Sequence, residues 1–105
     1  MGGVSVTKWD IYIANVPFED IRQSKPRPVI ILDDSCFLIE CLKMTSQPPR
    51  RGEYVLQKWR EAGLLKQTTV RISKRLQLDP DCLIKRIGAL QSIDIIEIQK
   101  RLIEL

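Results

Sequence analysis

Two prolines set two residues apart, directly before a four-residue apolar run, constrain this chain more than any other feature. The stretch is Ser24-Lys25-Pro26-Arg27-Pro28-Val29-Ile30-Ile31-Leu32. A proline has no backbone N–H and pushes the residue before it toward extended geometry, so Pro26 and Pro28 hold Arg27 extended. The β-branched and apolar run after it reads as a buried strand. An arginine at the mouth of a core strand has its stem anchored while its guanidinium stays available to an anion, ideally a phosphate. The same position equally suits an arginine paired with a surface carboxylate.

The rest of the chain reads as short strands and one closing helix. Trp9, Ile11 and Ile13 alternate with Asp10, Tyr12 and Ala14, predicting a strand over 9–16. Pro17 to Pro28 is expected to be a loop and Asp33-Asp34-Ser35 a turn. Phe37 to Met44 alternates as a strand, and 45–52 reads as a second loop. A short strand at 54–56 precedes a helical turn, Lys58 to Ala62, that Gly63 would close. Thr68 to Ile72 is β-branched and strand-like. Leu83 to Ala89 suits a strand, although Asp79-Pro80 would also begin a helix. Ser92 is a good helix N-cap, with Ile95, Ile98, Leu102 and Leu105 following at helical spacing. The expected class is mainly β with short helices: a small, strongly curved sheet or partly open barrel with a C-terminal helix packed on it.

Composition narrows the chemistry. At 105 residues the chain fits one domain, expected over 8–105 after a loose N-terminal tail at 1–7. No segment is long and apolar enough for a membrane span, and the start lacks a secretory pattern. Val6 stands where a myristoylation motif needs Ser or Thr. Cys36, Cys41 and Cys82 form an odd set without CxxC spacing, which suggests a reducing cytoplasm and thiols acting as core hydrophobes. Histidine is absent, which removes Ser-His-Asp and Cys-His nucleophile systems, and no metal site is expected.

The net charge of +4 is uneven. Lys43 to Arg75 holds nine basic residues against Glu53 and Glu61, while the remainder is net acidic. A basic middle segment points toward a polyanion, nucleic acid first.

The order of several segments is familiar. Trp9-Asp10-Ile11-Tyr12 precedes Pro17-Phe18, the Ser24–Pro28 stretch, Met44-Thr45-Ser46-Gln47, Trp59-Arg60-Glu61-Ala62-Gly63-Leu64, Val70-Arg71 and Arg86-Ile87-Gly88-Ala89-Leu90. This series resembles the MazF/PemK (Kid) family of bacterial toxins from type II toxin–antitoxin systems, over about Trp9 to Leu105. The resemblance implies an SH3-like β-barrel that forms a homodimer and cleaves single-stranded RNA without metal or other cofactor. It also implies a cognate antitoxin that neutralises the dimer. In that chemistry the RNA 2′-hydroxyl attacks the adjacent phosphate, so the protein supplies positioning, a proton acceptor and cationic stabilisation.

Residue by residue, the family's active-site arginine corresponds to Arg27 and its threonine to Thr45, with Ser46 beside it. Arg71 matches an arginine that the Kid branch uses near the scissile phosphate. Two positions later that branch has a catalytic aspartate where this chain has Ser73, which cannot act as a base at neutral pH. Either a loop carboxylate, Glu19 or Asp20, then takes the proton, or turnover is weak. Lys25, Arg50, Arg51 and Lys74 are expected to follow the RNA backbone, and Phe18 or Tyr54 to stack a base. Trp59 is expected to pack with Leu56 and Leu64. Two other readings remain open: a non-catalytic nucleic-acid- or protein-binding module, and a toxin-fold protein that acts only on a partner chain.

Overall fold

The computed structural model describes residues 6–17, 24–34 and 38–104. Among them, six strands form one antiparallel sheet: β1 (Asp10–Pro17), β2 (Ser24–Asp33), β3 (Ile39–Thr45), β4 (Tyr54–Val55), β5 (Thr69–Leu78) and β6 (Leu83–Ala89). Helix α1 (Ser92–Glu104) closes the described chain. The spatial order is β4-β5-β3-β2-β1-β6, so β4 and β6 are the edges.

The apolar run does what its composition predicts. Val29, Ile30 and Ile31 are fully buried and Leu32 nearly so. Strand alternation sends Ile30 and Leu32 into one cluster with Ile11, Leu42, Met44, Leu56, Val70, Ile72 and Ile98. Val29 and Ile31 enter a second cluster with Tyr12, Ala14, Val16, Ile39, Cys41 and Leu78. Both faces of the central strands are therefore covered. Val6, assigned above to a loose tail, is buried in the second cluster.

Several boundaries differ from the sequence expectation. β2 begins at Ser24 and not after Pro28. Pro26 and Pro28 pair with Asn15 and Ile13 of β1, whereas pairing to β3 starts only at Val29. The prolines thus occupy a stretch with a neighbour on one side only, where a missing N–H is tolerated. β1 starts one residue late because Trp9 sits in the left-handed region, φ 77°. Its N–H donates to the Ile31 carbonyl at 2.8 Å and its carbonyl accepts from the Leu90 N–H at 2.9 Å.

β3 begins at Ile39, while Phe37 lies outside the described residues. β5 continues past Ile72 to Leu78. After Asp79 a single 3-10 turn (Pro80–Cys82) precedes β6, so the Asp79-Pro80 signal nucleates a turn and no long helix. In α1 the first helical bond runs from the Ile95 N–H to the Gln91 carbonyl, which makes Gln91 the cap and places Ser92 in the first turn. Ile98 is fully buried against the sheet, with Ile95 and Leu102 half-buried beside it; Leu105 lies outside the described residues.

The sheet is curved but not closed by hydrogen bonds. The turn after β4 ends in a Schellman pattern: Gly63 N–H donates to the Arg60 carbonyl and Leu64 N–H to the Trp59 carbonyl, both at 3.0 Å. Gly63 takes φ +96°, as that motif requires. A Cβ on Gly88 of β6 would lie 1.8 Å from the Ala62 carbonyl oxygen. The turn beyond one edge strand therefore touches the other edge strand, backbone against backbone.

Trp59 and Leu64 pack on the cluster that holds Leu56, as expected. Asp94, in the first turn of α1, is fully buried and accepts from the Tyr54 hydroxyl (2.5 Å) and the Gln57 and Lys58 N–H groups (2.9 Å each). One carboxylate thereby ties helix, turn and β4 together.

Candidate functional site

The proline stretch creates the site. β3 cannot run on beside Pro28 and Pro26 as a full ladder, and a gap opens between the start of β2 and the end of β3. There lies a cleft of about 730 Å³, lined by Val16, Pro17, Arg27, Pro28, Val29, Lys43, Met44, Thr45, Ser46, Gln47, Arg50, Arg71 and Lys74. Five of these side chains are cationic and none is acidic. Such a concave, positively charged surface suits a phosphate-bearing ligand.

Arg27 and Thr45 face each other across the gap. The β2–β3 register pairs Ile30 with Leu42 and Val29 with Lys43; carried on by two residues it sets Arg27 opposite Thr45. Arg27 is exposed and makes no ion pair with any described residue. The Thr45 hydroxyl accepts the Gln47 N–H at 3.1 Å, which fixes the oxygen and leaves its own O–H to donate into the cleft. The Thr69 hydroxyl holds the same turn through the Gln47 carbonyl at 3.0 Å.

Arg71 and Lys74 arrive by a different route. β5 pairs Val70 with Met44 and Arg75 with Leu42, so 71–74 stand opposite Lys43 alone. This wide bulge bends the strand and turns Arg71 and Lys74 toward β3. The guanidinium Nε of Arg71 donates to Glu53 Oε2 at 2.9 Å. Glu53 Oε1 accepts the Arg50 N–H at 2.9 Å. First that backbone bond and then Arg71 hold the Glu53 carboxyl below the usual carboxylate range.

The structure thus brings Arg27, Thr45, Ser46, Arg71, Arg50 and Lys74 to one cleft. Lys25 and Arg51 are exposed but outside its lining. Ser73 also stands outside the lining, between Arg71 and Lys74. Phe18, Glu19 and Asp20 lie outside the described residues. Tyr54 cannot stack a base: it is buried in the core, its hydroxyl is engaged by Asp94, and the Arg101 guanidinium lies 4.9 Å from its ring. Burial first, and then that bond, pushes its phenol up to about 12.

Cys41 is a buried core thiol, likewise pushed up to about 12, chiefly by burial. Cys82 is half-buried beside the same cluster, and Cys36 lies outside the described residues. Among the described residues no group of three potential ligands is placed to hold a metal ion. Lys43 and Glu53 escaped the sequence reading as site residues. Lys43 was legible in principle, since strand alternation puts it on the same face as Thr45.

The profile of the PemK-like, MazF-like toxin of type II toxin–antitoxin systems matches residues 7–105. The chain belongs to this toxin family. Among solved structures, this family member shares its fold with an endoribonuclease from a mycobacterial species at TM-score 0.72 and 12% identity, covering 92% of this chain and 86% of the other. A mycobacterial endoribonuclease in complex with its cognate antitoxin superposes at TM-score 0.75 and 11% identity, with 95% and 93% covered. The Mycobacterium tuberculosis toxin MazF-mt6 gives TM-score 0.65 and 20% identity, with 90% and 89% covered. No curated protein sequence matches the chain. No helix among the described residues is long and apolar enough to cross a membrane.

Proposed function

We propose that this toxin is a metal-independent endoribonuclease that cuts single-stranded RNA, mRNA in the cell, within the cleft between β2, β3 and β5. The observation that carries the reading is the meeting of Arg27 and Thr45 across the sheet gap, in a cleft whose charged lining is wholly cationic. Two of the structural neighbours are endoribonucleases, one of them held with its cognate antitoxin, which supports the same activity and a protein antitoxin here. The toxin acts in the cytoplasm as a homodimer.

RNA supplies its own nucleophile. The 2′-oxygen bonds to phosphorus, the bond from phosphorus to the 5′-oxygen breaks, and the departing 5′-oxygen takes a proton from water, so that a 2′,3′-cyclic phosphate and a 5′-hydroxyl result. Arg27 and Arg71 stabilise charge growing on the non-bridging oxygens, and Thr45, with Ser46 beside it, donates a hydrogen bond to the phosphate. Lys43, Arg50 and Lys74 hold neighbouring phosphates, and Lys25 and Arg51 extend the track along the surface. Phe18 offers a stacking surface for a base. Glu19 takes the proton from the 2′-hydroxyl, with Asp20 next to it as the substitute; they follow Pro17, a lining residue, by two and three positions.

Purified protein should cut single-stranded RNA in EDTA and leave cyclic phosphate ends, and Arg27→Ala should slow the cut by about 10²–10³. RNA left intact by the native chain defeats the reading. The lack of an acid in the described lining, together with Ser73, favours one second reading: a non-catalytic RNA-binding module. Salt-dependent binding without cleavage would establish it.

A further inference from the structure

The cleft's acidic neighbour is Glu53, and its geometry assigns it a task. It opens β4's side of a tight turn in which the Glu53 N–H donates to the Arg50 carbonyl at 3.0 Å and Gly52, at the third position, takes φ +84°. That is the pattern of a type II turn, which needs glycine there. The turn delivers a carboxylate whose two oxygens are both used, one on the Arg50 N–H and one on Arg71 Nε. Its side chain is only 11% exposed, so the ion pair is shielded from water more than a surface pair.

The grip is one-sided. Glu53 meets Arg71 at Nε, and no described residue holds the two terminal nitrogens. A guanidinium held by that edge presents its far end, the fork that pairs with two phosphate oxygens. Arg71 is itself 30% exposed and lines the cleft, so this far end has access to a ligand. Without Glu53, a long side chain on a bulged strand would be free to choose among rotamers or to meet phosphate by Nε.

We infer that Glu53 is a positioning residue: it orients Arg71 end-on toward the substrate phosphate and locks the turn that brings Arg50 to the same cleft. This rests on the RNA-cleaving reading. It is distinct from the proton acceptor, because a carboxylate committed to two donors is a poor base.

The test is a double-mutant cycle on cleavage of a labelled single-stranded RNA, with Glu53→Gln, Arg71→Ala and both. The glutamine keeps the volume but puts an N–H₂ donor where one of the two carboxylate oxygens accepts, so one of the two bonds is lost. Glu53→Gln should lower kcat by about 10- to 100-fold with a smaller change in KM, the scale of a misplaced catalytic group. In the Arg71→Ala background it should cost much less, since only its hold on the Arg50 turn is then left to lose. Free guanidinium ion should restore cleavage to Arg71→Ala and not to the double variant. Cleavage by Glu53→Gln at the native rate, or equal losses in both backgrounds, overturns the inference.

Should Glu53→Gln fail to fold, the native protein still decides. The Arg71 Nε–H resonance should exchange slowly with solvent, and exchange as fast as that of an exposed arginine overturns the inference. If the native chain binds RNA without cutting it, the endoribonuclease reading falls. The cycle is then read on Kd, where the same coupling supports the positioning and its absence refutes it.

Discussion

Arg27 and Thr45 stand opposite each other two residues beyond the last hydrogen-bonded pair of β2 and β3, Val29 with Lys43. Prolines on one strand and a turn on the other end the ladder there, and both residues line the cleft that opens beyond it. The site is therefore a stretch of sheet in which the pairing of β2 with β3 has stopped.

If that relationship is the working one, Arg27→Ala lowers the cleavage rate by about 10²–10³ and leaves thermal stability unchanged, because its side chain is exposed and unpaired with any described residue. Thr45→Ala lowers the rate similarly but also loses the acceptor for the Gln47 N–H, for about 1 kcal/mol of stability. The double variant is no slower than either alone by the product of the two, since both groups address one phosphate. Single-turnover cleavage and thermal melts of the three variants check this; fully multiplicative losses would separate the two residues.

Gly88 and Gly52 predict unequal costs for the same substitution. A Cβ on Gly88 meets the Ala62 carbonyl at 1.8 Å with backbone on both sides, so Gly88→Ala costs about 3 kcal/mol or more. Gly52 has nothing within 4 Å, and Gly52→Ala carries only the left-handed strain of φ +84°, about 1–2 kcal/mol. Urea denaturation of both variants measures the difference.

Asp94 serves three donors from outside its own helix. Asp94→Asn leaves at least one of them facing an amide N–H₂, and about 3 kcal/mol of stability is lost. Tyr54→Phe removes one donor and costs about 1–2 kcal/mol. Chemical denaturation should rank the two in that order, and the reverse order would contradict the assigned network.

Tyr54 also makes stability fall in alkali. Its phenol loses a proton near 10 in the unfolded chain and near 12 in the folded one. The unfolded state therefore releases the proton first, and the contribution present below pH 10 drains away as the pH rises from about 10 to about 12. Unfolding free energies measured across that window should decline more steeply in the native chain than in Tyr54→Phe.

Much of this was legible in residue order, and the failures have physical causes. The run Val29–Leu32 reads as a core strand because it is short, rich in β-branched residues and preceded by two prolines, and a strand covered on both faces buries every residue of such a run. The half of β2 before it looked like loop because Pro26 and Pro28 are poor strand residues unless one side lacks a neighbour, and no local signal states that. β5 seemed to stop at Ile72 because Ser73, Lys74 and Arg75 are polar, yet pairing resumes at Arg75 after a bulge that has no residue signature. At the site, Arg27, Thr45 and Arg71 followed from motif order. Tyr54 was misplaced because an aromatic hydroxyl gives no hint of a buried partner forty residues away, and Glu53 because its role exists only through the arginine that it holds.

The bulge in β5 has a consequence for how such a cleft diversifies. Pairing with β3 restarts at Arg75 after four residues that oppose a single one, so the intervening length is not dictated by the ladder. Insertion or loss of a residue after Ile72, itself buried in the core, would re-aim Lys74 at the ligand while the pairing from Arg75 onward kept its place. Substrate preference and foldedness are separable at that point of the chain, which makes it a natural spot for one scaffold to acquire different targets.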